Sequence, residues 1–138
     1  MQQLTQEILR LCREYGECRV EAERMEEARR VKNALESVCS MARQRLDISD
    51  PALLLALLDA CEVTRDEGML QEVLDVVGRN LDRLAVSVES VKLLACCYYY
   101  VEEEECVERA GRMLEELRKM GRGEEELADV ETILEELT

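Results

Sequence analysis

The chain has 138 residues, enough for one domain with a buried core. It is 47% apolar and 36% charged with a net charge of −14, which sets aside both a disordered acidic tail and a basic nucleic-acid coat protein. His, Phe and Trp are absent, there is one Pro, and Leu, Glu, Arg, Ala and Val dominate, a mixture that favours helix.

A first helix is predicted from about Leu4 to Tyr15, with Leu4, Ile8, Leu11, Cys12 and Tyr15 on one face and Gly16 as its stop. A long second helix follows from about Val20 to Leu46, where Met25, Ala28, Val31, Leu35, Val38, Cys39, Ala42 and Leu46 recur at three- and four-residue steps. Asp50 before Pro51 is a strong start, because the Asp side chain accepts from free backbone N–H groups and Pro at the first helical position loses no bond. The third helix, about 51–63, is apolar almost all round and is expected to be central. The fourth, about 66–84, aligns Met69, Leu70, Val73, Leu74, Val77, Leu81 and Leu84.

Ser87 caps a fifth helix that reaches about Tyr100. Glu102, Glu103, Glu104 and Glu105 are expected in the first turn of a sixth, where the helix dipole favours acids. That helix carries Cys106, Ala110, Met113, Leu114, Leu117 and Met120, and Gly121 ends it. A seventh runs from about Glu124 to Leu137 on Leu127, Val130, Ile133, Leu134 and Leu137. No stretch alternates like a strand, and short connections make successive helices antiparallel. The expected fold is therefore all-α: about seven antiparallel helices in one domain, 1–138, as stacked hairpins in a solenoid-like array or a compact bundle.

Residues 57–70, "LLDACEVTRDEGML", lie over residues 93–106, "LLACCYYYVEEEEC", at an offset of 36. Leu57 falls on Leu93, Leu58 on Leu94, Cys61 on Cys97, Val77 on Met113, Leu81 on Leu117 and Leu84 on Met120. The same offset carries Val91, Leu94, Tyr98 and Val101 onto Leu127, Val130, Leu134 and Leu137. An offset of 38 carries Val31, Leu35, Cys39 and Leu46 onto Met69, Val73, Val77 and Leu84. Three hairpins, about 4–46, 51–84 and 88–120, with a closing helix at 124–137, account for this pattern.

The segment from Leu93 resembles a tetratricopeptide-type hairpin: Leu93, Cys96, Cys97 and Tyr100 stand where that family places Trp, Leu, Gly and Tyr. Ala110 and Leu114 fit its second helix one residue late. The Trp and Gly are replaced, no proline closes the unit, and the period is longer than about 34. The chain is also similar to the longer octotricopeptide- and HEAT-type hairpins. The resemblance implies binding through a concave face without catalysis.

The chemistry the sequence offers is narrow. Seven cysteines, an odd count, follow an amphipathic, acid-bearing N-terminus unlike a signal peptide, so free thiols in a cytoplasmic, reducing setting are expected. With no His and no Cys-x-x-Cys, no metal site is expected; Cys12, Cys39, Cys61 and Cys106 fall on apolar faces as small hydrophobes. Cys96 and Cys97 point about 100° apart on a helix and chelate poorly as a pair. The lack of His removes Ser-His and Cys-His nucleophiles, and no spacing singles out a carboxylate pair, so neither an enzyme nor a cofactor is expected.

Charge narrows the partners. Residues 1–46 carry 9 Lys and Arg against 8 Asp and Glu, and residues 47–138 carry 9 against 24. The acidic part repels phosphates and anionic membranes; its first expected role is to keep the chain in solution, its second to attract a basic partner. Tyr98, Tyr99 and Tyr100 cannot share one helical face, so some should pack and at least one should be exposed. These tyrosines with Glu102, Glu103, Glu104 and Glu105 are the candidate contact residues, offered to a basic or amphipathic protein segment or to a second copy. The expected role is a non-enzymatic scaffold or interaction module. One alternative is an artificial helical scaffold with no natural function, which the missing residue types and short loops suit and the seven cysteines do not. Another is an RNA-binding repeat, for which "ARRVK" is the only encouragement.

Overall fold

The computed structural model describes residues 2–121 and 124–137. They form seven α-helices and no strand: α1 (Gln2–Cys18), α2 (Met25–Arg43), α3 (Pro51–Thr64), α4 (Glu67–Arg79), α5 (Val88–Val101), α6 (Glu104–Lys119) and α7 (Glu124–Leu137). The all-α expectation holds.

Several predicted boundaries shift. Gly16 does not stop α1, which runs through it to Cys18. The predicted second helix is interrupted: Ala22–Arg24 form a 3-10 turn, the α-helix begins at Met25 and it ends at Arg43. Met25 is 57% exposed because it sits at that break and not on the buried stripe. The fourth helix stops at Arg79, where the Asn80 side chain donates to the Val76 carbonyl oxygen; Leu81–Arg83 make a 3-10 turn and Leu84 is extended. Met120, predicted on the buried stripe of the sixth helix, caps its end and is exposed. Gly121 follows at φ +75, the left-handed stop the sequence suggests.

Each odd-numbered helix packs in the groove of the hairpin before it. α3 lies against α1 and α2, α5 against α3 and α4, and α7 against α5 and α6. The odd helices therefore form one continuous row. The even helices pack on their hairpin partners, and among the described residues no two of them meet over any length. Arg43 spans the first such gap: its guanidinium donates two bonds to Glu72, at 2.6 and 2.8 Å, and lies 3.6 Å from Asp66. α3 and α5 supply the centre of the core, with Leu53, Leu54, Leu57, Leu93 and Leu94 at most 1% exposed.

The second and third hairpins correspond to one another at a spacing of 37, not 36. Asp50 and Ser87 each accept a backbone N–H three residues on, from Leu53 and Ser90, and Pro51 and Val88 then begin α3 and α5. Thr64 and Val101 end these helices, and Arg65 and Glu102 follow in the left-handed region. At this register Leu54, Leu57 and Ala60 fall on Val91, Leu94 and Cys97, and Met69, Val73 and Val77 fall on Cys106, Ala110 and Leu114, all buried. An offset of 36 looks equally good in sequence because adjacent positions of an all-round apolar helix match at either register.

Candidate partner-binding face

Asp59 and Glu62 are the only charged residues of the otherwise largely apolar α3. Two acids three positions apart share one side of a helix, and here both are exposed. At the 37-residue register they fall on Cys96 and Tyr99 of α5, with Val63 falling on Tyr100. This is the free side of the odd row. Asp59 acts electrostatically on both Cys12 of α1 and Cys96 of α5, and Glu62 acts on Cys96 and Tyr100, so three successive odd helices contribute neighbouring groups to it.

The tyrosines divide as their angular spacing requires. Tyr98 is half-buried against the core, Tyr99 is 69% exposed, and Tyr100 is half-buried. The rings of Tyr99 and Tyr100 meet edge to face, with centroids 5.2 Å apart at 84°. Edge-to-face contact is a favoured aromatic geometry, and Tyr99 keeps most of its surface open to solvent. Burial, then the Glu62 carboxylate, raises the Tyr100 phenol above its ordinary value. Burial of its surroundings, then Glu62, raises the Asp59 carboxyl, although the residue itself is exposed.

The four glutamates do not form one helical turn. Glu102 is the left-handed residue after α5, Glu103 precedes α6 without a side-chain capping bond, and only Glu104 and Glu105 lie in the first turn. All four are exposed at the hairpin turn, beside the tyrosine end of the face. Asp59 and Glu62 were the missed members. Their signal is legible in retrospect: in a helix apolar almost all round, the only two charges mark the one solvent-facing strip.

The thiols are built for packing. Cys18, Cys39, Cys61, Cys97 and Cys106 are buried, Cys12 and Cys96 half-buried, and all are free. Burial pushes Cys12, Cys61 and Cys97 up to about 12 and Cys39 to about 11, so few thiolates exist at neutral pH. Among the described residues no group of three or more His, Cys, Asp or Glu is placed to hold a metal ion, and no helix is long and apolar enough to cross a membrane. No protein-family model, curated protein or solved structure matches the chain.

Proposed function

We propose that this chain is a non-enzymatic interaction module that holds a basic, partly apolar protein segment along the free side of its odd-helix row. The observation that carries the reading is the juxtaposition of Glu62 on α3, with Asp59 one turn before it, and Tyr100 of the edge-to-face Tyr99–Tyr100 pair on α5. A guanidinium or ammonium group over an open tyrosine ring gains roughly 0.5–2 kcal/mol and then lies within reach of a carboxylate. Half-buried Leu55, Val63 and Cys96 offer apolar surface to aliphatic stems between those charges. The glutamates at the α5–α6 turn extend the negative field and steer a cationic segment toward the tyrosines. The same charge repels phosphates, which favours a protein segment over RNA.

The test is an anisotropy titration with a labelled amphipathic peptide of Arg and Leu, and a Glu and Leu peptide as control. Binding of the basic peptide alone is expected, weakening as salt rises. The double variants Tyr99→Ala with Tyr100→Ala, and Asp59→Lys with Glu62→Lys, are each expected to lower affinity at least about tenfold. Unchanged affinity in both double variants overturns the reading.

A further inference from the structure

Two of the seven thiols share a setting that the others lack. Cys97 on α5 and Cys106 on α6 are both buried, and both line one pocket of about 270 Å³ between α4 and the third hairpin. Leu74 and Val77 of α4 and Val101 of α5 supply apolar wall to it. The hairpin closure brings the two thiols together. Val101 ends α5 and Glu104 begins α6, so only Glu102 and Glu103 separate the helices. Cys97 lies about one turn before that closure and Cys106 stands in the first turn after it. Cys106, across the hairpin, acts on Cys97 more strongly than the adjacent Cys96 does. On α6, Cys106 and Ala110 stand where α4 has Met69 and Val73. Smaller side chains let helix axes approach, and α5 and α6 meet over more of their length than α3 and α4.

We propose that Cys97 and Cys106 form a dithiol that a small aliphatic disulfide oxidises to an intramolecular disulfide, fastening α5 to α6 beside the hairpin turn. Cys106 is the first to react, because the N-terminal turn of a helix favours a negative sulfur. Its thiol loses a proton to water, and the sulfur attacks the oxidant. The S–S bond of the oxidant breaks, and one half leaves as a thiolate that takes up a proton. The pocket houses the other half, held on Cys106 as a mixed disulfide. Cys97 then loses its proton and its sulfur attacks that of Cys106, so the mixed S–S bond breaks and the second small thiol leaves. Two protein thiols are oxidised and one small disulfide is reduced to two thiols. Burial raises both thiols, Cys97 to about 12, so thiolates are scarce and closure is slow. The product carries no charge and suits the same buried place. The cross-link falls one residue before Tyr98, so oxidation fixes the helix end that carries Tyr99 and Tyr100.

The probe is hydroxyethyl disulfide, applied to the folded chain in a Cys12→Ala, Cys96→Ala background that removes the two half-buried thiols. The expected product has an intact mass lower by two hydrogens. After proteolysis at the glutamates between the two cysteines, the peptide with Cys97 is expected to stay joined to the peptide with Cys106 until a reductant is added. The same linked peptides are expected from the unaltered chain. Cys97→Ser in the double-Ala background is expected to keep its helical circular dichroism and to stop at one mixed disulfide on Cys106. Lasting mixed disulfides on Cys97 or Cys106 without the cross-link overturn the proposal. So does a cross-link that joins Cys106 to another cysteine in preference, or a folded chain in which Cys97 and Cys106 stay unreacted while a denatured sample reacts fully.

Discussion

Arg65 and Glu102 close two successive hairpins with one backbone device. Both are left-handed, at φ 59 and 52, and each donates its N–H to a carbonyl oxygen four residues back, Cys61 at 2.7 Å and Tyr98 at 2.8 Å. Neither is glycine, the residue that adopts this conformation without steric cost. Changing Glu102 to Gly is expected to stabilise the fold by up to about 1 kcal/mol. Glu103 takes the place that Asp66 holds one hairpin earlier, yet only Asp66 caps its helix, through the Met69 N–H at 3.0 Å. Glu103→Asp is expected to add roughly 0.5–1 kcal/mol. Chemical denaturation read by circular dichroism checks both, and a loss of stability in Glu102→Gly contradicts the left-handed closure.

Leu57 and Leu94 occupy matching places in α3 and α5, and both are fully buried. Replacing either by Ala removes methyl groups from a packed core and leaves a cavity, a loss of about 2–5 kcal/mol. The two variants are expected to agree within about 1 kcal/mol. A much smaller loss at Leu94 than at Leu57 in urea titrations argues against equivalent hairpins.

The Arg43 fork ties α2 to α4. Hydrogen bonding to Arg43, ahead of every other influence, lowers the Glu72 carboxyl below its ordinary value. A lowered folded value means the contribution is full above the unfolded carboxyl value and is lost as pH falls through the folded one. Arg43→Met is expected to cost about 0.5–1 kcal/mol at neutral pH and almost nothing near pH 2. Asp59 has the opposite sign. Its raised carboxyl works against folding once pH climbs through the folded value, so Asp59→Asn is expected to raise the melting temperature slightly at pH 7 and to leave it unchanged in acid. Thermal melts across pH separate the two.

Native thiol labelling with an aromatic disulfide is expected to be slow at all seven cysteines, since burial raises each of them. Half-buried Cys12 and Cys96 should supply the faster phase, and Cys96→Ala should remove part of it. In denaturant all seven should react together. A cysteine that labels in the native state at the rate of a free thiol would show a local opening that this core does not provide for.

The helices were legible because their punctuation was chemical. Asp50 with Pro51, Ser87 and Gly121 act at the positions where they stand in the sequence. The boundaries that moved are those set by tertiary demand: α1 continues through Gly16, and α2 begins only after the 3-10 turn that redirects the chain at Ala22. The one-residue error in register has a similar origin. α3 and α5 are apolar on nearly every side, so periodicity leaves their rotation undetermined, and only the capping residues and the left-handed turn settle it. Of the candidate face, the tyrosines and the turn glutamates were visible because they adjoin in sequence. Asp59 and Glu62 were not, because the nearness of both to Cys96, and of Glu62 to Tyr100, is created by the packing of α5 on α3.

A row of helices packed on one side and separated on the other has a stiff direction and a soft one. Sliding the odd helices past each other disrupts the leucine core, while widening the gaps between the even helices disturbs little besides the Arg43 fork. Curvature is therefore the compliant coordinate of this molecule. The spacing between Asp59 on α3 and Tyr99 on α5, on the opposite side, changes as the array bends.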